Sequence, residues 1–477
     1  MPGQRSVRRA GRRAIVTAAL CAALAAPAAP AQPPAAGGPA APEPAPLDLS
    51  TAMRRARASA PEVAAAAARL EAGRARVDEA RGHRLPTVAL SETWMRTDAP
   101  ADVFGLLLNQ QRFSFQQFVA GDPNRPDPLE SATTRFEVSL PVYAGGEITA
   151  RIEQARRGEA AAGAALDRAG DRAAFAAGEA YVRLLQAREQ AALLADSLAT
   201  VEAHVELARA YVEEGMAVSS ELLRAEVEAS RLRDELAAAR GRARLAEAAL
   251  SFALGAPLDA AWQPAPLGDP PPLDTALDTW LARSGERADL QAARRQAEAA
   301  ALETRAVRAR RLPRVGLAAR YDLVDDAPFG VDADNHMLMA LASIDLFAGG
   351  RHRAAAAAAR AEAEAARLEI ERMAEGIRLE VRDAWLAATT ARERLATAGA
   401  SLAAARETER ILQERFRQGL VKTVDLLDAT TARTEAETRA AVARAEAHLG
   451  SLRLALAAGA APDGSPPEIP EPREGAR

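Results

Sequence analysis

Few residues in this chain have the type and spacing that chemistry needs. The five histidines, His83, His204, His336, His352 and His448, stand far apart, and the single cysteine is Cys21. No Ser/His/Asp, zinc-ligand or phosphate-loop spacing brings a nucleophile, a base or a metal donor set together. His336, Met337 and Met339 form a run of soft donors. In a strand, however, His336 faces away from both methionines, so no metal site is expected there. The chain is therefore expected to be no enzyme and to need no cofactor. What remains is an acid pair, Asp425 and Asp428, whose i, i+3 spacing puts both carboxylates on one face of a helix. Acids in the first turns of a helix also complement its dipole, which would explain them in any protein.

The elements that position this pair come from a duplication. Leu140-Pro141-Val142-Tyr143-Ala144-Gly145-Gly146 returns 204 residues later as Ile344-Asp345-Leu346-Phe347-Ala348-Gly349-Gly350, and Tyr181 falls on Trp385. The stretch from Gly215 to Leu223 falls on Gly419 to Leu427 without a gap, which makes Glu221 the counterpart of Asp425 and Arg224 that of Asp428. Arg84-Leu85-Pro86 matches Arg311-Leu312-Pro313 at an offset of 227, so the first copy carries 23 extra residues between Pro86 and Gly145. The sequence is a tandem repeat of one long unit.

Within each unit the hydrophobic period switches twice. Residues 87–95, 133–143, 314–323 and 336–347 alternate with period two and read as four strands, each with an apolar and a charged face. Residues 98–131 hold four phenylalanines and a proline-rich end, and read as a loop with room for a short helix. From Gly145 to Glu214 there is no proline, and a seam from Ala173 through Leu184, Leu194 and Val205 to Val212 steps by four and three. Its second-copy counterpart, Ile377 to Phe416, is broken only at Glu409. A period of 3.5 predicts coiled-coil packing. Gly215 and Gly419 should end the long helices, and return helices are expected over 219–254 and 423–458. Gly145-Gly146 and Gly349-Gly350 mark the strand-to-helix breaks.

Arginines at 5, 8, 9, 12 and 13, an apolar run from Ala14 to Ala26, and Ala29-Pro30-Ala31 have the pattern of a secretory signal peptide, 1–31. Acylation at Cys21 is the alternative, although Leu20 is not the small residue it needs. The expected divisions are a Pro/Ala-rich leader at 32–46, a first repeat at 47–260, a linker at 261–272, a second repeat at 273–460 and a disordered tail at 461–477. Loss of residues 1–31 removes five arginines and no acid, leaving 56 basic against 65 acidic side chains. That balance argues against nucleic acid as a partner.

No uncharged apolar run after the signal reaches the roughly 18 residues of a membrane helix, so a membrane-spanning part would be built of strands. Four amphipathic strands cannot close a barrel, and open edges are excluded in lipid. Three chains would give twelve strands. The fold expected is mainly α with a membrane β-barrel part: duplicated long helical hairpins forming a trimeric α-barrel, and four strands per chain contributing to a twelve-stranded barrel.

The motifs Tyr143-Ala144-Gly145-Gly146, Phe347-Ala348-Gly349-Gly350 and Val424-Asp425-Leu426-Leu427-Asp428-Ala429-Thr430 resemble the outer-membrane efflux proteins of the TolC type, over roughly residues 47–460. The resemblance implies a homotrimeric channel in outer-membrane lipid with its helices in the periplasm. It also implies a periplasmic adaptor and an inner-membrane pump as partners, in drug or metal efflux or in type I secretion. In such proteins acids one turn into the return helix ring the periplasmic aperture, and Asp425 and Asp428 stand at those positions, with Glu221 as a weaker third. Phe416 replaces the tyrosine that many members carry before the turn glycine, so that hydroxyl latch is not expected here. A soluble periplasmic coiled-coil scaffold or adaptor is the alternative reading.

Overall fold

The structure, a computed structural model, describes residues 46–215, 218–273, 276–418 and 420–460. The expected signal peptide with Cys21, the leader up to residue 45, the tail 461–477 and Gly419 lie outside the described residues. In chain order the elements are β1 (Pro46–Leu47), α1 (Leu49–Ser59), α2 (Pro61–Gly82), β2 (Thr87–Thr97), α3 (Pro100–Asn109), α4 (Phe115–Ala120), β3 (Leu129–Ala144), α5 (Glu147–Glu213) and α6 (Ser219–Ala253). The second half runs β4 (Gln263–Pro264), α7 (Leu277–Ser284), α8 (Ala288–Ala309), β5 (Arg314–Asp325), β6 (Ala333–Ser343), α9 (Arg351–Arg417) and α10 (Thr423–Ala458). These residues are mainly helical with one substantial antiparallel sheet, and they divide into two compact units.

One unit holds Ala75–Arg156 and Ala299–Ala363. Its sheet has the order β2-β3-β5-β6, every pair antiparallel, so β3 and β5 join the two copies and β2 and β6 are the edges. Pro86 and Pro313 stand just ahead of β2 and β5, where proline stops the preceding helix. The register assigns the faces. Val88 pairs with Val138, Val138 with Ala319 and Ala319 with Leu338, which continues one apolar row across all four strands. Leu338, at 80% exposure, shows how open this face is. The opposite face carries Arg135, Glu137, Arg320 and Asp322. There Arg135 grips Asp322 with two hydrogen bonds of 2.8 and 3.2 Å, and Arg320 adds a contact of 3.3 Å.

Two strand expectations are corrected. β6 ends at Ser343, so Ile344, Asp345, Leu346 and Phe347 are not strand. The reason is the partner: β5 starts at Arg314, after Pro313, and Arg314 pairs with Ser343, which leaves nothing for residues 344–347 to bond. β6 is also not amphipathic, because Met337, Met339 and Leu341 lie on the face that is charged in β3 and β5. No charged side chain occurs between His336 and Ser343 to express the alternation. The expected loop 98–131 contains two helices, α3 and α4, separated by Gln111 at φ +55. Phe104, Phe113 and Phe118 cluster there with ring centroids 5.3 to 5.6 Å apart.

Of the described residues, the other unit holds those within 46–74, 157–298 and 364–460. Leu194, Val201 and Val205 of α5 pack on Leu236, Ala229 and Ala225 of α6, giving an antiparallel hairpin. Val381 and Ala384 of α9 pack on Leu454 and Ala458 of α10 in the same manner. α10 also packs on α5, through Leu449 and Leu452 against Ala174 and Val182. A fully buried leucine such as Leu184 contributes about 2 kcal/mol of hydrophobic stabilisation, and the alanines between such residues allow close helix approach.

The stretch expected as a linker is bound along much of its length. Gln263–Pro264 pair in parallel with Pro46–Leu47, which makes Pro46 and Leu47 strand rather than leader and helix start. The Tyr181 hydroxyl, fully buried, lies 2.9 Å from the Leu47 carbonyl and 2.7 Å from that of Ala265, and burial raises its pKa to about 12. Trp262 donates from Nε1 to Ser251 at 2.8 Å, and His448 Nε2 donates to the Gly268 carbonyl at 3.1 Å.

Candidate functional site

The turn between α9 and α10 places the acid pair. α9 closes with the Leu420 N–H on the Arg415 carbonyl at 2.9 Å. Lys422 then has extended backbone, and its N–H donates to Asp425 Oδ2 at 3.1 Å. One acid of the pair thus caps its own helix, satisfying a donor that the first turn leaves open. Leu426, 2% exposed, fixes the rotation of α10, and Leu427 packs against the α5–α6 core. With that side of the helix committed, Asp425 and Asp428 are both exposed. Asp428 has no hydrogen bond or ion pair among the described residues.

The first copy differs at the corresponding turn. Gly215 has φ +72, a conformation that costs a side-chain-bearing residue about 1–2 kcal/mol, and its N–H reaches the Val212 carbonyl at 3.1 Å. Glu221 is half-buried in the first turn of α6, and exposed Arg224 follows where the second acid would be. Of the two turns, the second alone carries an acid at both of these positions. Phe416 lies in the last turn of α9, its ring centroid 6.4 Å from that of Tyr211 near the end of α5. The two rings meet where α5 and α9 end.

Sequence reasoning saw Glu409 only as a break in the seam. In the structure it is buried, and Arg433 Nε of α10 lies 2.7 Å from its Oε2. Arg433 also contacts Glu437 at 2.8 Å, and Arg406 contacts Glu437 at 3.0 Å. Burial alone would lower the Arg433 pKa, but Glu409 and then Glu437 outweigh it and hold the group above its ordinary value. Next to this cluster, the Ser197 hydroxyl of α5 and the Thr434 hydroxyl of α10 share a buried hydrogen bond of 2.6 Å. The available signal was an acid at an apolar seam position, which requires a cation somewhere in the fold.

The strand-to-helix junctions need their glycines. Gly145 and Gly146 have φ +64 and +87, and Gly349 and Gly350 have +57 and +81. A Cβ on Gly145 would also stand 2.5 Å from the Ala309 carbonyl oxygen, whereas one on Gly349 would meet open space. In β6 the pairing sets His336 opposite Tyr321, and Met337 and Met339 opposite Arg320 and Ala318, so the histidine and the methionines do occupy opposite faces.

No helix among the described residues is long and apolar enough to cross a membrane. The chain matches the family model of the outer membrane efflux protein over residues 52–256 and 283–460. No curated protein matches it. Among solved structures it is similar to a membrane protein from Pseudomonas aeruginosa, at 21% identity over 86% of this chain and 92% of that one, with a TM-score of 0.74. It is also similar to the outer membrane protein VceC from Vibrio cholerae, at 20% identity over 86% and 96%, TM-score 0.70. The MtrE outer membrane channel of Neisseria gonorrhoeae in its open state gives 19% over 86% and 89%, TM-score 0.69. With 383 of 477 residues inside the family model, the chain belongs to the outer membrane efflux protein family.

Proposed function

We propose that three copies of this chain form an outer-membrane exit duct, a twelve-stranded barrel in lipid continued by an α-helical tube in the periplasm. The observation that carries this reading is the sheet. One of its faces exposes Val88, Leu90, Trp94, Leu317 and Leu338, and among the described residues no further strand pairs with its edges β2 and β6. Backbone groups cannot remain unpaired in lipid. The edge strands β2 and β6 each span 11 residues, so the β2 edge of one copy can bond the β6 edge of the next and close the ring. The charged face with Arg135, Glu137, Arg320 and Asp322 then lines water.

In this duct Asp425 and Asp428 from three chains ring the periplasmic mouth, favouring cations and keeping it narrow, and Glu221 adds a weaker ring. A periplasmic adaptor and an inner-membrane pump would load it, in a tripartite efflux or type I secretion system. The test is the mass of the detergent-extracted oligomer together with its single-channel conductance in planar bilayers. A three-chain mass and a small, cation-selective conductance that loses selectivity in Asp425→Ala/Asp428→Ala support the duct and its mouth. A protein that needs no detergent and gives no conductance is instead the soluble scaffold. Channels whose selectivity ignores both substitutions keep the duct and discard the acid ring.

A further inference from the structure

The apolar face of the sheet is bounded by aromatic rings and then by arginines of one sign. Trp94, opposite Ala132, and Tyr143, opposite Val315, lie on that face and are 55% and 48% exposed. From Ala132 to Tyr143 the ladder advances ten positions, because a bulge between Pro141 and Tyr143 takes up one residue, and this is about 34 Å along the strand. At a tilt of roughly 45° that spans about 24 Å, close to the ~25 Å apolar band of a membrane barrel. The Tyr143 end is also where the helices join the strands, because Arg314 pairs there with both Ala144 and Ser343.

Just beyond Tyr143 the junctions fill with cations. Arg84 precedes β2; Arg308, Arg310 and Arg311 precede β5; and Arg351 and Arg353 follow β6. The acids among residues 80–86, 141–149, 304–314 and 344–353 are Glu147 and Asp345. Both are occupied: Arg310 and Arg314 hold Glu147 at 3.0 and 3.7 Å, and His352 holds Asp345 at 3.0 Å. Arg308, Arg311 and Arg353 are exposed, and their side chains make no ion pair among the described residues. Beside them Leu85, Leu312, Leu346 and Phe347 are exposed too, the last two by 91% and 90%.

We propose that this belt binds the phosphates of anionic phospholipid in the leaflet at the helix-joined end of the sheet. The inference rests on the reading of the sheet as part of a membrane barrel. The guanidinium fork matches a phosphate in geometry and charge, and the arginine stem lies along apolar surface while its head stays at the interface. A soluble acidic partner would satisfy the arginines but would leave Leu346 and Phe347 beside it in water; acyl chains cover them. Continuity with the apolar face, which ends one residue short of Arg314's partner Ala144, selects lipid.

The experiment places the full protein, as extracted from membranes, in nanodiscs of equal phosphatidylglycerol and phosphatidylcholine, and weighs the lipid it retains by native mass spectrometry. Phosphatidylglycerol should be retained over phosphatidylcholine by about fivefold or more. Arg308→Gln/Arg311→Gln/Arg353→Gln should return the ratio towards one while the oligomer mass stays unchanged. The wild-type preference should also fall as salt rises, a readout that needs no variant. Equal retention by an inserted wild type, a preference that survives the triple substitution, or one indifferent to salt overturns the belt and leaves the barrel standing. A protein that does not enter the nanodisc overturns the barrel reading itself.

Discussion

Arg433 reaches from α10 to Glu409 on α9, Nε to Oε2 at 2.7 Å, within a row of positions otherwise filled by apolar side chains. Removing one member of a buried pair strands the other charge, at a cost of about 3–5 kcal/mol. The two single changes should nevertheless differ. Glu409→Leu leaves Arg433 with Glu437, whereas Arg433→Met leaves Glu409 without this partner and Glu437 with only Arg406. Arg433→Met should therefore lower the unfolding midpoint more than Glu409→Leu, and the double variant should recover much of the loss. Denaturant titration of the three variants checks this; equal single losses with no recovery would remove the pair from the account.

Asp425 and Asp428 can be separated, because only the first accepts a hydrogen bond from the helix start. Asp428→Asn should reduce cation selectivity with helix content and melting unchanged. Asp425→Ala should reduce selectivity and also cost about 1 kcal/mol through loss of the cap. Bilayer reversal potentials paired with circular-dichroism melts distinguish the two. A selectivity loss confined to Asp425→Ala would assign the effect to a loosened turn rather than to charge.

Much of the fold was legible because its signals are local. Phe136, Val138 and Leu140 alternate with Arg135, Glu137 and Ser139, and the seam from Ala173 to Val212 repeats by fours and threes, so strand and coiled coil could be read from one window each. Failures came where a distant residue decides. β6 stops at Ser343 because its partner β5 starts at Arg314, which nothing in Ile344–Phe347 reveals. Glu409 finds Arg433 on another helix. The bond from the Tyr181 hydroxyl to the Ala265 carbonyl in the linker also joins residues far apart in sequence. At the site, the positions of Asp425 and Asp428 were legible from spacing, but the capping bond that distinguishes them was not.

The two junction glycines equivalent by duplication should not be equally replaceable. Gly349→Ala pays only for positive φ, about 1–2 kcal/mol. Gly145→Ala adds a methyl 2.5 Å from the Ala309 carbonyl oxygen and 2.8 Å from Leu312 Cβ, so backbone must shift as well. Gly145→Ala should thus leave markedly less assembled protein in the outer-membrane fraction than Gly349→Ala. Equal yields of the two variants would show that the Ala309–Leu312 turn yields freely.

Stability should depend on His204 and His448. Burial is the main cause holding His204 below its ordinary pKa, against an upward pull from Glu409, and its Nε2 has no hydrogen-bond partner among the described residues. Burial likewise lowers His448, with Arg444 and Arg392 adding to it against the bond to Gly268. A group whose folded pKa is depressed is more readily protonated in the unfolded chain. Its contribution is therefore complete above the unfolded value, near 6.5, and is lost as pH falls through the folded one. The slope is at most about 1.4 kcal/mol per pH unit for each ring, reduced by solvent screening at His204, which is only partly buried. The wild-type melting midpoint should fall from pH 6.5 towards 5, and His204→Gln/His448→Gln should flatten that fall. A double variant that keeps the wild-type slope between pH 6.5 and 5 would rule out both rings as its source; Asp289, which Arg287 and Arg168 hold below the usual carboxylate range against its burial, would lose its contribution only at still lower pH.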